Sequence, residues 1–463
     1  MRRLDKDHFV KPGRCFSERP QFEIAPVSQF LRTHNMECRE HPWFKKRGYL
    51  HFDEPISVEH ALDIVTNPHA VATHSFLPFI TFTSTTYKVQ KDKGTNAINK
   101  TLKERPIAYS SHVDSHIYSY YAAILDEKYE KELYTHGISK SVLAFRKLNK
   151  SNIEFAHEAF QEIKKRGECS AVALDLSKFF DTLDHSFLKN AWCRLLATDR
   201  LPKDHYAVFK AITKFSKVDK NEVYDLIGIP KNNASNTKKT RKKICSFDDF
   251  RNKVRKENLI ASNKAGFGIP QGSPISALLS NIYMLNFDIE MNNYVSSLGG
   301  VYFRYCDDML FIVPSHEKNN VAGEAEKKLF KLKVSLNTKK TEIREFIAIP
   351  SKIKCDKPLQ YLGFMFDGEN IFLRSSSLSR YSDRMKRGVR LAKATMRRKN
   401  RIRKLKGLPK KELFKEKIYA RYAHVGKRNF LTYGYRASRI MHSNSIRKQL
   451  KPLWERLQKE IHK

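Results

Sequence analysis

The sequence predicts an α+β fold with an all-helical, strongly basic C-terminal lobe. Apolar, β-branched runs of strand length interleave with helical stretches through the middle of the chain. From Ser379 onward only helical, Lys/Arg-rich sequence remains. The third observation is charge: of 463 residues, 87 are Lys or Arg against 49 Asp or Glu, a formal +38. Self-repulsion at that charge opposes compaction, so a neutralising polyanion is the economical partner. Nucleic acid fits, because basic side chains release the counterions condensed on phosphates. A small-molecule enzyme has no need of this imbalance.

Taken in order, residues 1–75 mix basic, aromatic and helical stretches around the run His41 to Phe52 and read as a basic N-terminal extension. Residues 76–165 carry a Thr-rich apolar stretch (FITFTSTTYKV) and then a helical stretch around His116 to Leu133. The block from Cys169 to Thr182 reads as a strand ending in a turn, and strands return at Val301 to Val313 and Leu359 to Phe372. Within 166–370, the polar segment 231–245 begins KNNASNTKKTRKK and reads as an exposed insertion. Residues 371–463 form the helical lobe. The start, MRRLDKDHF, lacks the apolar core of a signal peptide, and no apolar run is long enough to span a bilayer. The seven cysteines have no paired spacing, as expected of free thiols in a reducing cytoplasm.

Two acidic motifs stand far apart in this framework. In Ala171-Val-Ala-Leu-Asp175-Leu-Ser-Lys-Phe-Phe180-Asp-Thr-Leu-Asp184-His, an apolar strand delivers Asp175 to its end, where the Leu176 carbonyl could also face a metal. In Tyr302-Phe-Arg-Tyr-Cys-Asp307-Asp308-Met-Leu-Phe-Ile-Val313, strand-like runs flank a turn that pushes adjacent carboxylates to a hairpin tip. Phosphoryl transfer from a nucleoside triphosphate needs such carboxylates, because they hold two divalent cations at the reacting oxygens. An Asp-Asp pair alone proves little. Phe247-Asp-Asp-Phe250 is also flanked by aromatics, yet has no strand on either side.

What gives the pair meaning is order. Between the acidic motifs lies GIPQGSPISALLSNIYM, a turn that brings backbone close to a ligand before an apolar helix expected to start at Ser273-Pro274. After them come LNTKKT and QYLGF. This series resembles the successive palm motifs of prokaryotic reverse transcriptases, including group II intron, retron and defence-associated enzymes. Lys103-Glu-Arg-Pro-Ile107 resembles their fingers motif, so the likeness runs from about residue 100 to 370.

The resemblance implies a right-hand polymerase fold: fingers at 76–165, palm at 166–370 and a helical thumb at 371–463. It implies that Asp175 and Asp307 bind two Mg²⁺ ions (or Mn²⁺), with Asp308 as supporting carboxylate. Arg105 would contact the incoming triphosphate, and Gln271 and Gly272 would lie beside the nucleotide. Lys340 would protonate the leaving pyrophosphate, while Tyr361, Leu362 and Gly363 would grip the primer end. Phe180, five residues after Asp175, would clash with a 2′-hydroxyl and select dNTPs. RNA polymerases of this fold tend to place an aspartate there, and Asp181 is one residue off.

The basic stretch Arg384 to Phe430, with Arg397, Arg398, Arg401 and Arg403, resembles a thumb tracking template–primer phosphates. No RNase H, integrase or HNH module is expected beyond it. A zinc site on Cys15, His34, Cys38 and His41 is not expected, because a close cysteine pair is missing. Nor is one expected at His112 and His116. The narrower likeness, carried by HGISKSVLAFRKL, SNIEFA, RGYLHF and YCDD, is to type 2 bacterial antiphage reverse transcriptases. It implies a structured noncoding RNA as template partner, a cDNA product, and no membrane. Alternatives are a group II intron-type maturase and a catalytically silent RNA-binding scaffold.

Overall fold

The computed structural model describes residues 41–91, 98–231, 240–350 and 352–463. The expectations for residues 1–40 and most of the polar insertion, 232–239, lie outside the described residues. Two compact units divide the chain, Met1–Lys45 and Lys46–Lys463. In the first, the Phe44 amide closes a turn on the His41 carbonyl at 2.9 Å. Residues 46–75, read from sequence as part of an extension, belong to the second unit. The reason is burial: Leu50 and Phe52 pack with Ile80, Val218 and Phe250 in one apolar cluster.

The second unit opens with helices α1 (Val58–Val65) and α2 (Pro68–Ala72), then the long hairpin β1 (Phe79–Lys91) and β2 (Ile98–Tyr109). Helices α3 (His112–Thr135) and α4 (Asn152–Arg166) precede β3 (Cys169–Asp175). Helices α5 (Phe179–Thr182), α6 (His185–Leu196) and α7 (Lys203–Thr213), strand β4 (Ser216–Asp219), α8 (Lys220–Leu226), the single turn α9 (Phe247–Asp249) and β5 (Ala261–Ser262) follow. Next come α10 (Ser276–Ser297), β6 (Val301–Tyr305), β7 (Asp308–Val313), α11 (Lys318–Lys331), β8 (Glu342–Ile349) and β9 (Lys352–Cys355). Three short strands, β10 (Leu359–Tyr361), β11 (Phe364–Phe366) and β12 (Ile371–Leu373), lead to the closing helices. These are α12 (Ser375–Leu405), α13 (Glu416–Tyr422), α14 (Phe430–Ile440) and α15 (Asn444–His462).

Three sheets result, ordered β2-β1-β4-β5, β6-β7-β3-β8-β9 and β10-β11-β12. The five-stranded sheet is antiparallel throughout. Strand β3, its centre, is buried on nearly every residue because it is covered on both faces. On one face Phe160 and Phe346 stack on Phe366, with ring centroids at 4.9 and 5.6 Å, and tie in α4 and the three-stranded sheet. Burying rings of this size is worth roughly 1.5–3 kcal/mol each, which fixes the register of the strands that carry them. Tyr302 stacks on Phe311 at 4.9 Å and meets Phe287 of α10. The helix expected at Ser273-Pro274 begins at Ser276. Its hydroxyl bonds back to the Pro270 carbonyl at 2.7 Å, so the preceding residues are spent on a turn. Among the described residues no helix is long and apolar enough to cross a membrane.

Candidate active site

Antiparallel pairing of β3 and β7 sets Asp175 directly opposite Asp308. Strand β3 ends at Asp175 and β7 begins at Asp308, so both carboxylates stand at one end of the sheet. Asp307 occupies the two-residue turn between β6 and β7. Cys306 before it has φ 59°, the left-handed conformation that a tight hairpin demands. The turn is bound to β3 as well, the Leu176 amide donating to the Asp307 carbonyl at 3.1 Å. Leu176 faces Leu336, but the bonds of that bridge run through Ser177 to Ser335 and Asn337 to Asp175. Neither uses the Leu176 carbonyl.

Electrostatics mark this end of the sheet. Burial, then repulsion from Asp307 and Asp175, pushes the Asp308 carboxyl up to about 6. Positive charge answers it. Lys340, in a short turn at Thr338–Lys340, donates to both oxygens of Asp175 at 2.6 and 2.7 Å, and Asn337 donates to one of them at 3.2 Å. Arg374 also lowers the Asp308 carboxyl through its charge. Among the described residues no three acidic, histidine or cysteine side chains are gathered closely enough to hold an ion as they stand. Asp175 is turned to Lys340 instead. The donor chemistry nevertheless fits a hard divalent cation, since carboxylates crowded to mutual repulsion are what such an ion relieves.

The other expected residues surround this centre. Arg105 lies exposed on β2 opposite Ser84. Two residues back on the same face, Lys103 feels Arg105 and Lys340 on one side and Asp175 and Asp307 on the other. The turn carrying Gln271 and Gly272 is held to this strand, the Ala108 amide donating to the Gln271 carbonyl at 2.9 Å. Gly272 has φ 120°, and a Cβ there would run into the Ala108 carbonyl oxygen. Phe180 lies on the single turn α5, and its carbonyl accepts from Ile269, the residue that opens the Ile-Pro-Gln-Gly segment. Sequence positions 180 and 269–272 thus meet in space.

Leu362 and Gly363 form the β10–β11 hairpin turn at φ 45° and 92°. Their carbonyls are taken by Asn152 at 2.9 Å and by the Arg374 amide at 3.2 Å. The side chain of Tyr361, expected at the primer end, is buried at 3% exposure. It packs in the core beside Asp308, whose charge helps to raise its phenol, so it supports the turn from below. Arg397, Arg398 and Arg401 are exposed on α12, whereas Arg403 is half-buried and bonds to the Pro409 carbonyl at 2.6 Å. Arg403 therefore ties off the end of its own helix, and its Nε is not free for phosphate.

Sequence reasoning passed over Lys103, Asn337, Arg304 and Arg374. Arg304, within the quoted FRYCDD, is fully buried against Asp288 of α10 and donates to the Asn281 side chain and to the Cys306 carbonyl. It pins the Cys306–Asp307 turn from the core. The i, i+2 spacing of Lys103 and Arg105 on a strand was the available signal for Lys103. Asp184 of the first acidic motif is structural: it caps α6, accepting from Ser186 and Phe187 at 2.9 and 3.1 Å, and pairs with Lys333 at 2.7 Å. His112 stacks on Tyr49 at 5.2 Å.

The family described as "Reverse transcriptase (RNA-dependent DNA polymerase)" matches residues 194–366, a span that begins after Asp175 and includes Gln271, Asp307, Asp308, Lys340 and the 361–363 turn. No curated protein matches the chain. Solved structures similar to it include apo telomerase from Candida tropicalis truncated from its C-terminal domain, at 11% identity and TM-score 0.40, covering 68% of this chain and 59% of that one. Apo telomerase from the same organism covers 72% and 57% at 12% identity and TM-score 0.40. Telomerase from Candida albicans, in complex with a TWJ fragment of telomeric RNA, covers 94% and 68% at 10% identity and TM-score 0.36. The chain thus spans less than two thirds of either Candida tropicalis chain. Residues 194–366 thus match a reverse transcriptase (RNA-dependent DNA polymerase) domain.

Proposed function

We propose that this chain is an RNA-directed DNA polymerase that copies a structured noncoding RNA into cDNA in bacterial antiphage defence, like the type 2 defence-associated enzymes that its motifs resemble. The observation that carries the catalytic part is the pairing of Asp175 with Asp308 at one end of the sheet, with Asp307 in the adjoining turn. These carboxylates, with the Leu176 carbonyl, would hold two Mg²⁺ ions, or Mn²⁺ in their place. Held there, such ions would supply activation of the primer 3′-hydroxyl and neutralisation of the triphosphate charge.

The protein's own residues do the rest. Arg105 and Lys103 draw in the triphosphate from the fingers strand, and Gln271 and Gly272 flank the nucleotide. Phe180 excludes the 2′-hydroxyl. The Leu362–Gly363 turn supports the primer end. Lys340 moves from Asp175 to the leaving pyrophosphate, to which it gives a proton. Arg397, Arg398 and Arg401 run along the paired backbone. At 1.5 Å per residue, α12 is about 46 Å long, enough to follow roughly one turn of duplex. We place the enzyme in the cytoplasm, where its five described thiols, all free, would stay reduced.

Sequencing the nucleic acid that co-purifies with the chain tests the template, and primer extension tests the chemistry. One folded RNA species and DNA complementary to it are expected from the wild type. Asp307→Ala with Asp308→Ala should retain the RNA and lose the DNA. Recovery of unselected cellular RNA would sink the template assignment; wild-type extension by the double variant would sink the site.

A further inference from the structure

We propose that a cleft in the C-terminal helical lobe, separate from the catalytic carboxylates, holds an unpaired nucleotide of single-stranded RNA. The cleft encloses about 580 Å³, within the range of roughly 300–1,000 Å³ typical of small-ligand sites. Its walls are the first turns of α12, the end of α13 and the start of α14.

Arg380, Arg384, Arg421, Lys427 and Arg428 converge on this space, and no carboxylate lines it. Nearby arginines find acidic partners, Arg390 on Glu460 and Arg436 on Glu154. Among the described residues none of the five does, and all five are exposed. Five converging cations without a counter-charge are held together against their own repulsion, which a run of phosphates would relieve. The positive end of α14, an eleven-residue helix, adds to the same field.

Between the cations lie flat surfaces. Tyr422, Phe430 and Tyr433 line the cleft half-buried. The frame behind them is built in advance: Tyr381 stacks on Phe430 at 5.2 Å, and its hydroxyl donates to the Tyr422 carbonyl at 2.6 Å. Asn429 caps α14 while its amide donates to the Ala420 and Ala423 carbonyls at 3.1 and 2.7 Å. Little ordering would be lost on binding.

Rings beside cations in a concave site suit a base splayed from its strand, with neighbouring phosphates on the arginines. A duplex hides its base faces and presents a convex backbone. An acidic peptide would use the cations and leave the rings without a role. The inference rests on the reading that the enzyme carries an RNA with unpaired segments.

The test uses the full chain, a fluorescent oligouridylate and a blunt RNA duplex of equal length, titrated at two salt concentrations. Arg384→Gln with Arg421→Gln and Lys427→Gln should weaken oligouridylate binding about tenfold or more and flatten its salt dependence, with a much smaller effect on the duplex. Phe430→Leu keeps an apolar side chain but removes the stacking plane. It should weaken oligouridylate binding without changing the salt slope. Equal losses for oligouridylate and duplex, or no loss for either, would overturn the proposal. If oligouridylate binds this cleft while no folded RNA co-purifies with the chain, the template reading fails and this one stands.

Discussion

The Lys340 ammonium lies 2.6 and 2.7 Å from the two carboxylate oxygens of Asp175, a residue 165 positions away. A cation thus already sits on the carboxylate that the proposed chemistry assigns to a metal. Ammonium and Mg²⁺ compete for the same oxygens, so loading the site should weaken or displace the Lys340 contact. The displaced ammonium is then free for a proton-donating role at the opposite end of the substrate.

Lys340→Met separates these two functions. Freeing Asp175 should lower the Mg²⁺ concentration needed for half-maximal extension. Losing the acid should reduce the maximal rate by about 10²- to 10⁴-fold, the usual reach of general acid catalysis. Extension rates across a Mg²⁺ titration read both quantities. A variant that needs more Mg²⁺ than wild type would show that Lys340 helps to assemble the site.

Sugar choice should follow Phe180, whose place on α5 is tied to the 269–272 turn. Phe180→Ala should raise the ratio of kcat/KM for rNTP over dNTP, because discrimination is a difference in transition-state binding. Competition assays with paired nucleotides measure that ratio directly. No change would assign the gate to another residue.

Gly272→Ala probes the contact between that turn and β2. The backbone at φ 120° and the adjacent Ala108 carbonyl leave no room for a methyl group, so the turn must shift away from the strand. Because Gln271 moves with it, KM for dNTP should rise several-fold while affinity for RNA holds. Steady-state kinetics beside an RNA titration would distinguish this local effect from unfolding, which would remove both.

Acid stability should depend on His51. It is fully buried, and burial, with the nearby His112, lowers its ring to about 3 from an ordinary 6.5. The folded state thus keeps it neutral where the unfolded chain binds a proton, and its contribution, complete above pH 6.5, is lost as pH falls toward 3. His116, lowered to about 4, acts in the same sense. Melting temperature should therefore fall on acidification from pH 7 to 5, and His51→Phe should make that fall shallower. An unchanged slope would mean that other groups control acid unfolding.

The local chemistry of the site was legible in the sequence. Apolar strands running into Asp175 and out of Asp308, with a tight turn between β6 and β7, are patterns of neighbouring residues, and their periodicity survives folding. The sequence read Leu359 to Phe372 only as strand, and folding breaks it into three short strands, with a turn at Leu362–Gly363. Tertiary structure decided what long-range packing controls. Only the register of β3 against β7 places Asp175 opposite Asp308, and only the return of the chain through residues 335–340 puts Lys340 on Asp175. The direction of a side chain depends on which face of its element is covered. That is why Tyr361 is buried beneath the turn and Arg304 is drawn inward to Asp288. The cleft on the basic lobe has the same origin: its five cations, spread from Arg380 to Arg428, converge because Tyr381, Tyr422 and Phe430 pack three helices together.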